Sequence, residues 1–93
     1  MTIVKIVSLQ RKERIIMRKS IHEVIADINQ WIRDNYLREK VTFITDNGDH
    51  YLIAVNSNEQ VVYDFVKEFL HYEQYEVILK KIDGNNTIIA VAK

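Results

Sequence analysis

The sequence predicts an α+β fold: a two-layer sandwich in which two helices pack on one face of a largely antiparallel sheet. Three observations support this class. Short segments are rich in β-branched residues, two longer segments repeat apolar residues at steps of three and four, and polar or glycine-containing turns separate them. The chain has 93 residues, enough for one core, so we expect a single α+β domain over residues 1–93.

The first predicted element is a β-hairpin at the start of the chain. Residues 2–9 and 14–17 are rich in β-branched side chains, and the polar segment between them, residues 10–13, is typical of a turn. Because this hairpin carries many cations, it is also the most basic part of the predicted fold.

A helix is predicted next, from Ser20 to about Arg38. Ser20 lies three residues before Glu23, which is the spacing of a capping box, where each side chain accepts a hydrogen bond from the other residue's amide. Apolar residues then recur along one face of the helix, and we assign them to the core, although the only tryptophan among them could instead be an exposed binding hot spot. They are Ile21, Val24, Ile25, Ile28, Trp31, Ile32 and Tyr36.

A second hairpin is predicted around Asn47-Gly48, between the apolar segments 41–45 and 50–55. Asn-Gly is the strongest two-residue hairpin signal, because both central residues of a type I′ turn need a positive φ. We therefore expect a hairpin at this position, with residues 46–49 as its connection.

A second helix and a third hairpin complete the pattern. Ser57, with Gln60 three residues later, has the spacing of another capping box. Segments 75–82 and 87–92 flank a turn that contains Gly84, which predicts two more strands. The apolar stripe of the second helix consists of Val61, Val62, Phe65, Val66, Phe69 and Leu70.

The predicted order is ββ-α-ββ-α-ββ, and it contains a possible internal duplication with a period of 37 residues. Ser20 and Ser57 are 37 positions apart, and at the same offset Val4 matches Val41 and Val24 matches Val61. Alternatively, any two amphipathic units of this kind align at some offset. The central βαββαβ part resembles ferredoxin-like architecture, which hosts many unrelated functions and so implies none in particular.

The face of the sheet that the helices leave free is not predicted to be polar. Ile78 and Ile82 lie among charged residues of the last hairpin, and Ile3 and Val7 do so in the first. An apolar excess on a free face favours a partner, often a second copy of the chain, so a homodimer is one expectation. The alternative is a sheet that curls around its own helices.

Catalytic and cofactor chemistry find little support in the sequence. The chain has no cysteine, and its two glycines, Gly48 and Gly84, are too far apart for a phosphate-binding loop. The three histidines show no zinc-motif spacing, and Asp46 and Asp49 fit the turn roles in which Asp is favoured. We therefore predict no cofactor, no metal site, no catalytic residue and no enzymatic activity.

Charge is distributed unevenly although the formal net charge is zero. Residues 1–19 hold six basic residues and one acidic residue, a balance of +5, while residues 20–93 hold seven basic and twelve acidic residues, a balance of −5. The basic hairpin could bind an anionic partner, or its charges could protect an edge strand from aggregation. The candidate partner- or anion-binding residues are Arg11, Lys12, Arg14, Arg18, Lys19 and Tyr63, the last because Tyr is common in binding hot spots.

These observations favour a small non-catalytic protein-binding module, such as an inhibitor, adaptor or regulatory subunit, with a protein partner. The alternative is nucleic-acid binding through the basic hairpin, which ranks second because that hairpin lacks stacking aromatic residues. No apolar run is long enough to span a bilayer, and residues 1–7 lack a signal-peptide pattern, so we expect no membrane partner and a cytoplasmic location.

Overall fold

The computed structural model describes residues 18–93, which form two helices and one four-stranded antiparallel sheet. The predicted α+β class is confirmed. The predicted first hairpin lies outside the described residues, so the described order is α-ββ-α-ββ rather than the eight-element order. The elements are α1 (Ile21–Asp34), β1 (Val41–Asp46), β2 (His50–Val55), α2 (Gln60–Tyr72), β3 (Val77–Asp83) and β4 (Asn86–Ala92).

The capping box predicted at the start of α1 is confirmed. The Ser20 hydroxyl oxygen accepts from the Glu23 amide at 3.2 Å, and the Glu23 carboxylate accepts from the Ser20 amide at 3.0 Å. Two amides that have no partner within the helix are thereby satisfied. This fixes the point at which the chain enters the helical layer.

The cap predicted at Ser57 is wrong. The α2 helix starts at Gln60, its N-cap is Glu59, and the Ser57 hydroxyl oxygen instead accepts from the Glu59 amide at 3.2 Å. The Ser57 carbonyl accepts a 2.7 Å hydrogen bond from the buried Thr87 hydroxyl of β4. Because this bond holds Ser57 against the sheet, the chain needs two more residues before it can turn into the helix.

Both helices end in the same motif, and α1 ends four residues earlier than predicted. Tyr36 and Gln74 adopt left-handed φ values of 59° and 72°, and the amides that follow them, of Leu37 and Tyr75, each donate to the carbonyl five residues back. This is a Schellman motif, for which glycine is the usual residue. Tyr36, which we had placed on the apolar face, therefore lies past the helix and is exposed.

The hairpin at Asn47-Gly48 is confirmed, and its turn is not of type I′. Three residues connect β1 to β2, and of the two central residues only Gly48 has a positive φ, +95°. The Asp46 carboxylate accepts from the Gly48 amide at 3.0 Å, so the aspartate side chain closes the turn from its own side. The turn between β3 and β4 likewise uses a positive φ at Gly84.

The strand order is β1-β2-β4-β3, and every neighbouring pair is antiparallel. Strands β2 and β3, joined by α2, therefore run parallel with β4 between them, which is a split βαβ unit. A ferredoxin-like order would place a strand that precedes the first helix in that middle position. Here the last strand of the chain occupies it, so the ferredoxin-like outline is not confirmed.

The end pairs of the β1–β2 and β3–β4 hairpins coincide when residue numbers are shifted by 36, whereas the pairs between the two bulge positions differ by one residue. The pair Val41–Val55 of the first hairpin corresponds to Val77–Val91 of the second, and Ile53 pairs with Ile89 at the centre of the sheet. The described residues therefore divide into two helix-plus-hairpin units. The predicted hairpin-plus-helix duplication is not confirmed, because its first hairpin lies outside the described residues.

The core lies between the helices and one face of the sheet. Cross-strand register places the buried strand residues on one side of the sheet. They form a single cluster with the buried residues of both helices, so both helices cover the same face. Asn29 of α1 joins the two layers at Val41, donating to its carbonyl and accepting from its amide, both at 2.8 Å. The fully buried members are Ile21, Val24, Ile28, Ile32, Val41, Ile53, Val55, Val66, Leu70, Ile89 and Val91.

Candidate protein-binding surfaces

The basic residues predicted to bind a partner are engaged within the chain where the structure describes them. The Arg18 guanidinium donates to the Gln74 carbonyl at 3.2 Å and lies 4.1 Å from the centre of the Tyr75 ring. Arg18 thus ties the start of the described chain to the end of α2. The other predicted cations of the hairpin, Arg11, Lys12 and Arg14, lie outside the described residues.

Lys19 is likewise paired within the chain. Its ammonium lies 2.7 Å from the Asp27 carboxylate and 3.8 Å from that of Glu73. The hydrogen bond to Asp27 raises the pKa of Lys19 above its ordinary value. Arg18 and Lys19, the two described cations of the predicted site, therefore hold the segment that precedes α1 against the helices.

Tyr63 is half-buried and packs against the core. Its role as a partner contact stays a prediction. The Lys80 ammonium of β3 lies 4.4 Å from the centre of its ring. Ten residues of helix, about 15 Å, separate Tyr63 from Glu73, next to which Lys19 is held. The structure therefore does not bring Tyr63 together with Arg18 and Lys19.

The polar residues of the loop between β1 and β2 contact one another closely. The His50 ring nitrogen Nδ1 lies 2.8 Å from the Asp49 carboxylate, and this contact lowers the pKa of Asp49. The Lys93 ammonium lies 2.7 Å from the Asp46 carboxylate and lowers the pKa of Asp46. Within residues 18–93, no three His, Asp or Glu side chains come close enough together to hold a metal ion.

An apolar groove lies between the end of α1 and the start of α2, and we name it the Trp31 groove. Trp31 is 42% exposed and packs against the Phe65 ring with centroids 4.4 Å apart. Leu37, placed by the Schellman turn, and Val61, which is 68% exposed, extend the apolar wall. The groove has a volume of about 320 Å³. The core positions predicted for Trp31 and Val61 are therefore wrong, because this end of each apolar stripe is left exposed.

Two glutamates border this groove. Glu39 follows α1 and Glu59 caps α2, and both line the same concavity as Trp31. An apolar floor with a polar rim is the usual arrangement of a protein-binding site, and Trp is among the residues enriched in binding hot spots. The acidic rim favours a partner that carries basic residues beside an apolar one.

A second apolar surface is the face of the sheet opposite the helices, which we name the open face. Cross-strand register places two complete rows of residues on it. Lys81 is the one charged member of these rows, and Leu79 is 67% exposed. The rows, each read from β1 to β3, are Thr45, Leu52, Ala90, Leu79 and Thr42, Ala54, Ile88, Lys81.

Both edge strands of the sheet are irregular. A register shift falls between Phe43 and Thr45 in β1, and another falls between Val77 and Leu79 in β3. Bulges of this kind interrupt the ladder of amides and carbonyls that an added strand would use. The faces of this sheet are therefore better suited than its edges to receive a partner.

Comparisons with known proteins give no match: none with a protein-family model, none with a curated protein and none with a solved structure. Neither helix of the described chain is long and apolar enough to cross a membrane.

Sequence reasoning missed both surfaces in detail, although it expected an apolar free face. The bulge before Leu79 breaks the alternation of β3 and places Leu79 on the open face. Ile82, which the sequence places on the free face, is instead in register with Thr87 on the helix side. Helical periodicity correctly placed Trp31 on the apolar stripe but not at its uncovered end. The acidic residues that follow α1 and precede α2 were the available signal for the rim.

Proposed function

We propose that this chain is a small non-catalytic protein-binding module, acting as an inhibitor, adaptor or regulatory subunit, and that its partner docks in the Trp31 groove. The observation that carries this proposal is the half-exposed Trp31 side chain, packed on Phe65 inside a concave apolar site. A large aromatic side chain that is fixed on one side and uncovered on the other offers contact area at little cost in conformational entropy.

The partner is a protein segment with an apolar side chain flanked by Lys or Arg. The apolar side chain would fill the space between Trp31 and Val61, and the cations would face Glu39 and Glu59. Attraction between exposed charges mainly speeds association and selects partners, while burial of the apolar side chain supplies most of the affinity.

The only tryptophan of the chain provides the test, because its fluorescence reports directly on the groove. Random peptides displayed on phage are selected on the immobilised full-length protein, and the selected peptides are synthesised and titrated. We expect them to combine an aromatic or aliphatic residue with neighbouring Lys or Arg, and to shift Trp31 emission to shorter wavelength as water leaves the groove.

A matched pair of variants tests where these peptides bind. Val61→Asp places a charge inside the groove, whereas Gln60→Asp adds the same charge one residue away in the same helical turn. We expect the first to weaken binding by about 10-fold or more and the second to change it little. Peptides that bind Val61→Asp as tightly as wild type, without affecting Trp31 emission, would overturn the proposed site.

The nucleic-acid alternative keeps a separate test. It depends on Arg11, Lys12 and Arg14, because Arg18 and Lys19 are already paired within the chain. Phosphate binding should weaken steeply and log-linearly between about 50 and 200 mM salt. We expect no retention of DNA or RNA even at low salt, and retention with that salt dependence would favour the alternative.

Other expectations from the sequence belong to this proposal. A cytoplasmic location is part of it. So are the first hairpin of the eight-element order and the internal duplication with a period of 37 residues.

A further inference from the structure

We propose that the open face is a homodimer interface, on which a second copy of this chain stacks its own open face. This inference does not rest on the proposed function, because it uses the opposite side of the molecule from the Trp31 groove. Three properties of the open face carry it: its composition, the arrangement of its large and small side chains, and its area.

The composition fits a partner of the same kind. Its two central strands present only aliphatic side chains in the two rows, and Lys81, the single charged member, lies on the edge strand β3. A surface that meets its own copy must be self-complementary, and a neutral aliphatic centre avoids placing like charges opposite each other. Lys81 at the edge can extend its ammonium into water when the centre is covered.

The side-chain sizes at the centre form a diagonal pattern. Leu52 pairs with Ala90, and Ala54 pairs with Ile88, so the two large residues occupy one diagonal of a square and the two alanines the other. A two-fold axis that lies in the interface, along the strands, exchanges the two diagonals. Each large side chain of one copy then stands over an alanine of the second copy, which allows the two sheets to interdigitate.

The area reaches the lower bound for a specific interface. Strands of six or seven residues extend about 20 Å, and four strands span about 19 Å, which gives a footprint near 400 Å² per copy. The accessible area of a face exceeds its flat footprint because side chains make the surface uneven. The two copies together would therefore bury roughly 1,000 Å², close to the lower bound for a specific interface. The bulged edges of β1 and β3 favour this stacking over edge-to-edge pairing of strands.

The test is the mass of the full-length protein measured by sedimentation equilibrium from about 1 to about 500 µM. We expect reversible association to twice the monomer mass of 11.1 kDa. Leu52→Lys and Ile88→Lys should each raise the dissociation constant by about 30-fold or more, because a charge then enters the centre of the interface. These side chains lie outside the helix-covered core, so we expect each variant to fold, and circular dichroism verifies this.

Tyr72→Lys is the matched control, because it adds the same charge at an exposed aromatic residue on the helical side. It should leave the association unchanged. A wild-type protein that stays monomeric over the whole range would overturn the proposal, and so would a dimer that survives both open-face variants. If residues 1–17 or another protein covered this face, the wild type would remain monomeric and the proposal would fail in the same way.

Discussion

The two faces of the sheet contain similar residues but have different surroundings. On β2, Ile53 points to the helices and is fully buried, whereas its neighbour Leu52 points to the open face and stays half-buried. Both side chains are large and aliphatic, so the sequence at these positions does not distinguish covered from uncovered. What differs, within residues 18–93, is the helical layer, which covers Ile53 and not Leu52. Exposed apolar faces of this kind are typical of protein-interaction sites.

Hydrogen bonds also hold the helical layer on the covered face of the sheet at two places. Asn29 joins α1 to the first residue of β1, and the Tyr75 hydroxyl donates to the Lys19 carbonyl at 2.7 Å where the described chain enters α1. Each contact satisfies backbone groups that would otherwise lose water on burial. The helices are therefore held in one position on the sheet by directional bonds as well as by burial.

The largest expected effect contrasts the two neighbours on β2. Ile53→Ala leaves a cavity in the core and should lower the free energy of unfolding by about 2–5 kcal/mol. Leu52→Ala removes a side chain that is buried only if the open face is covered, so its effect should be smaller and should grow with protein concentration. Urea unfolding at two protein concentrations measures both.

The concentration dependence shows whether Leu52 is buried by a second copy of the chain or within the single chain. If Leu52→Ala were as destabilising as Ile53→Ala at every concentration, the open face would be buried within the single chain. Ile53→Ala serves as the internal control, because its deficit should be the same whether or not the protein associates.

A smaller effect is expected from the bond between α1 and β1. Asn29→Ala leaves the amide and carbonyl of Val41 without their partners in a part-buried position, and it should destabilise the protein by about 1–3 kcal/mol. Asn58→Ala is the control, since its side chain donates a single exposed hydrogen bond to Gly84. Equal losses in the two variants would mean that the layers are held by apolar packing alone.

Much of this fold follows from local signals in the sequence. The capping box at Ser20, the apolar stripes and the hairpin at Gly48 depend on residues close together in the chain, and each was predicted from such spacing. The strand order was not predictable in this way, since β4 takes its place between β2 and β3 through contacts distant in sequence. Local patterns contain no information on such pairings.

The candidate surfaces were predictable only in general terms. An uncovered apolar face was expected, but the bulges shift the alternation of β1 and β3, and no residue type marks a bulge unambiguously. The exposure of Trp31 depends on how α1 and α2 pack at this end of the helical layer, which is a property of the whole core. The left-handed Tyr36 that sets Leu37 beside this groove was likewise unexpected, because a non-glycine residue in this conformation is uncommon.

The smallest expected effect comes from the contact at the chain entry, and it depends on pH. Tyr75 is buried, and burial raises the pKa of its hydroxyl above the ordinary value. Removing the hydroxyl in Tyr75→Phe breaks its hydrogen bond to the Lys19 carbonyl, so the variant should be less stable by about 1 kcal/mol at neutral pH. Urea unfolding at a series of pH values measures the difference.

The direction of the pH effect depends on whether Tyr75 ionises more readily in the folded or in the unfolded protein. The folded protein holds Tyr75 protonated at pH values where the unfolded chain, with a tyrosine pKa of about 10, has begun to ionise. The stability that the hydroxyl contributes is therefore complete below about pH 10 and is lost as the pH rises through the folded pKa. The difference between wild type and Tyr75→Phe should shrink in that range, whereas Tyr72→Phe, at an exposed position, should match wild type throughout. A difference that stays constant with pH would show that this hydroxyl does not close the covered face, and that packing against the ring alone holds the chain entry in place.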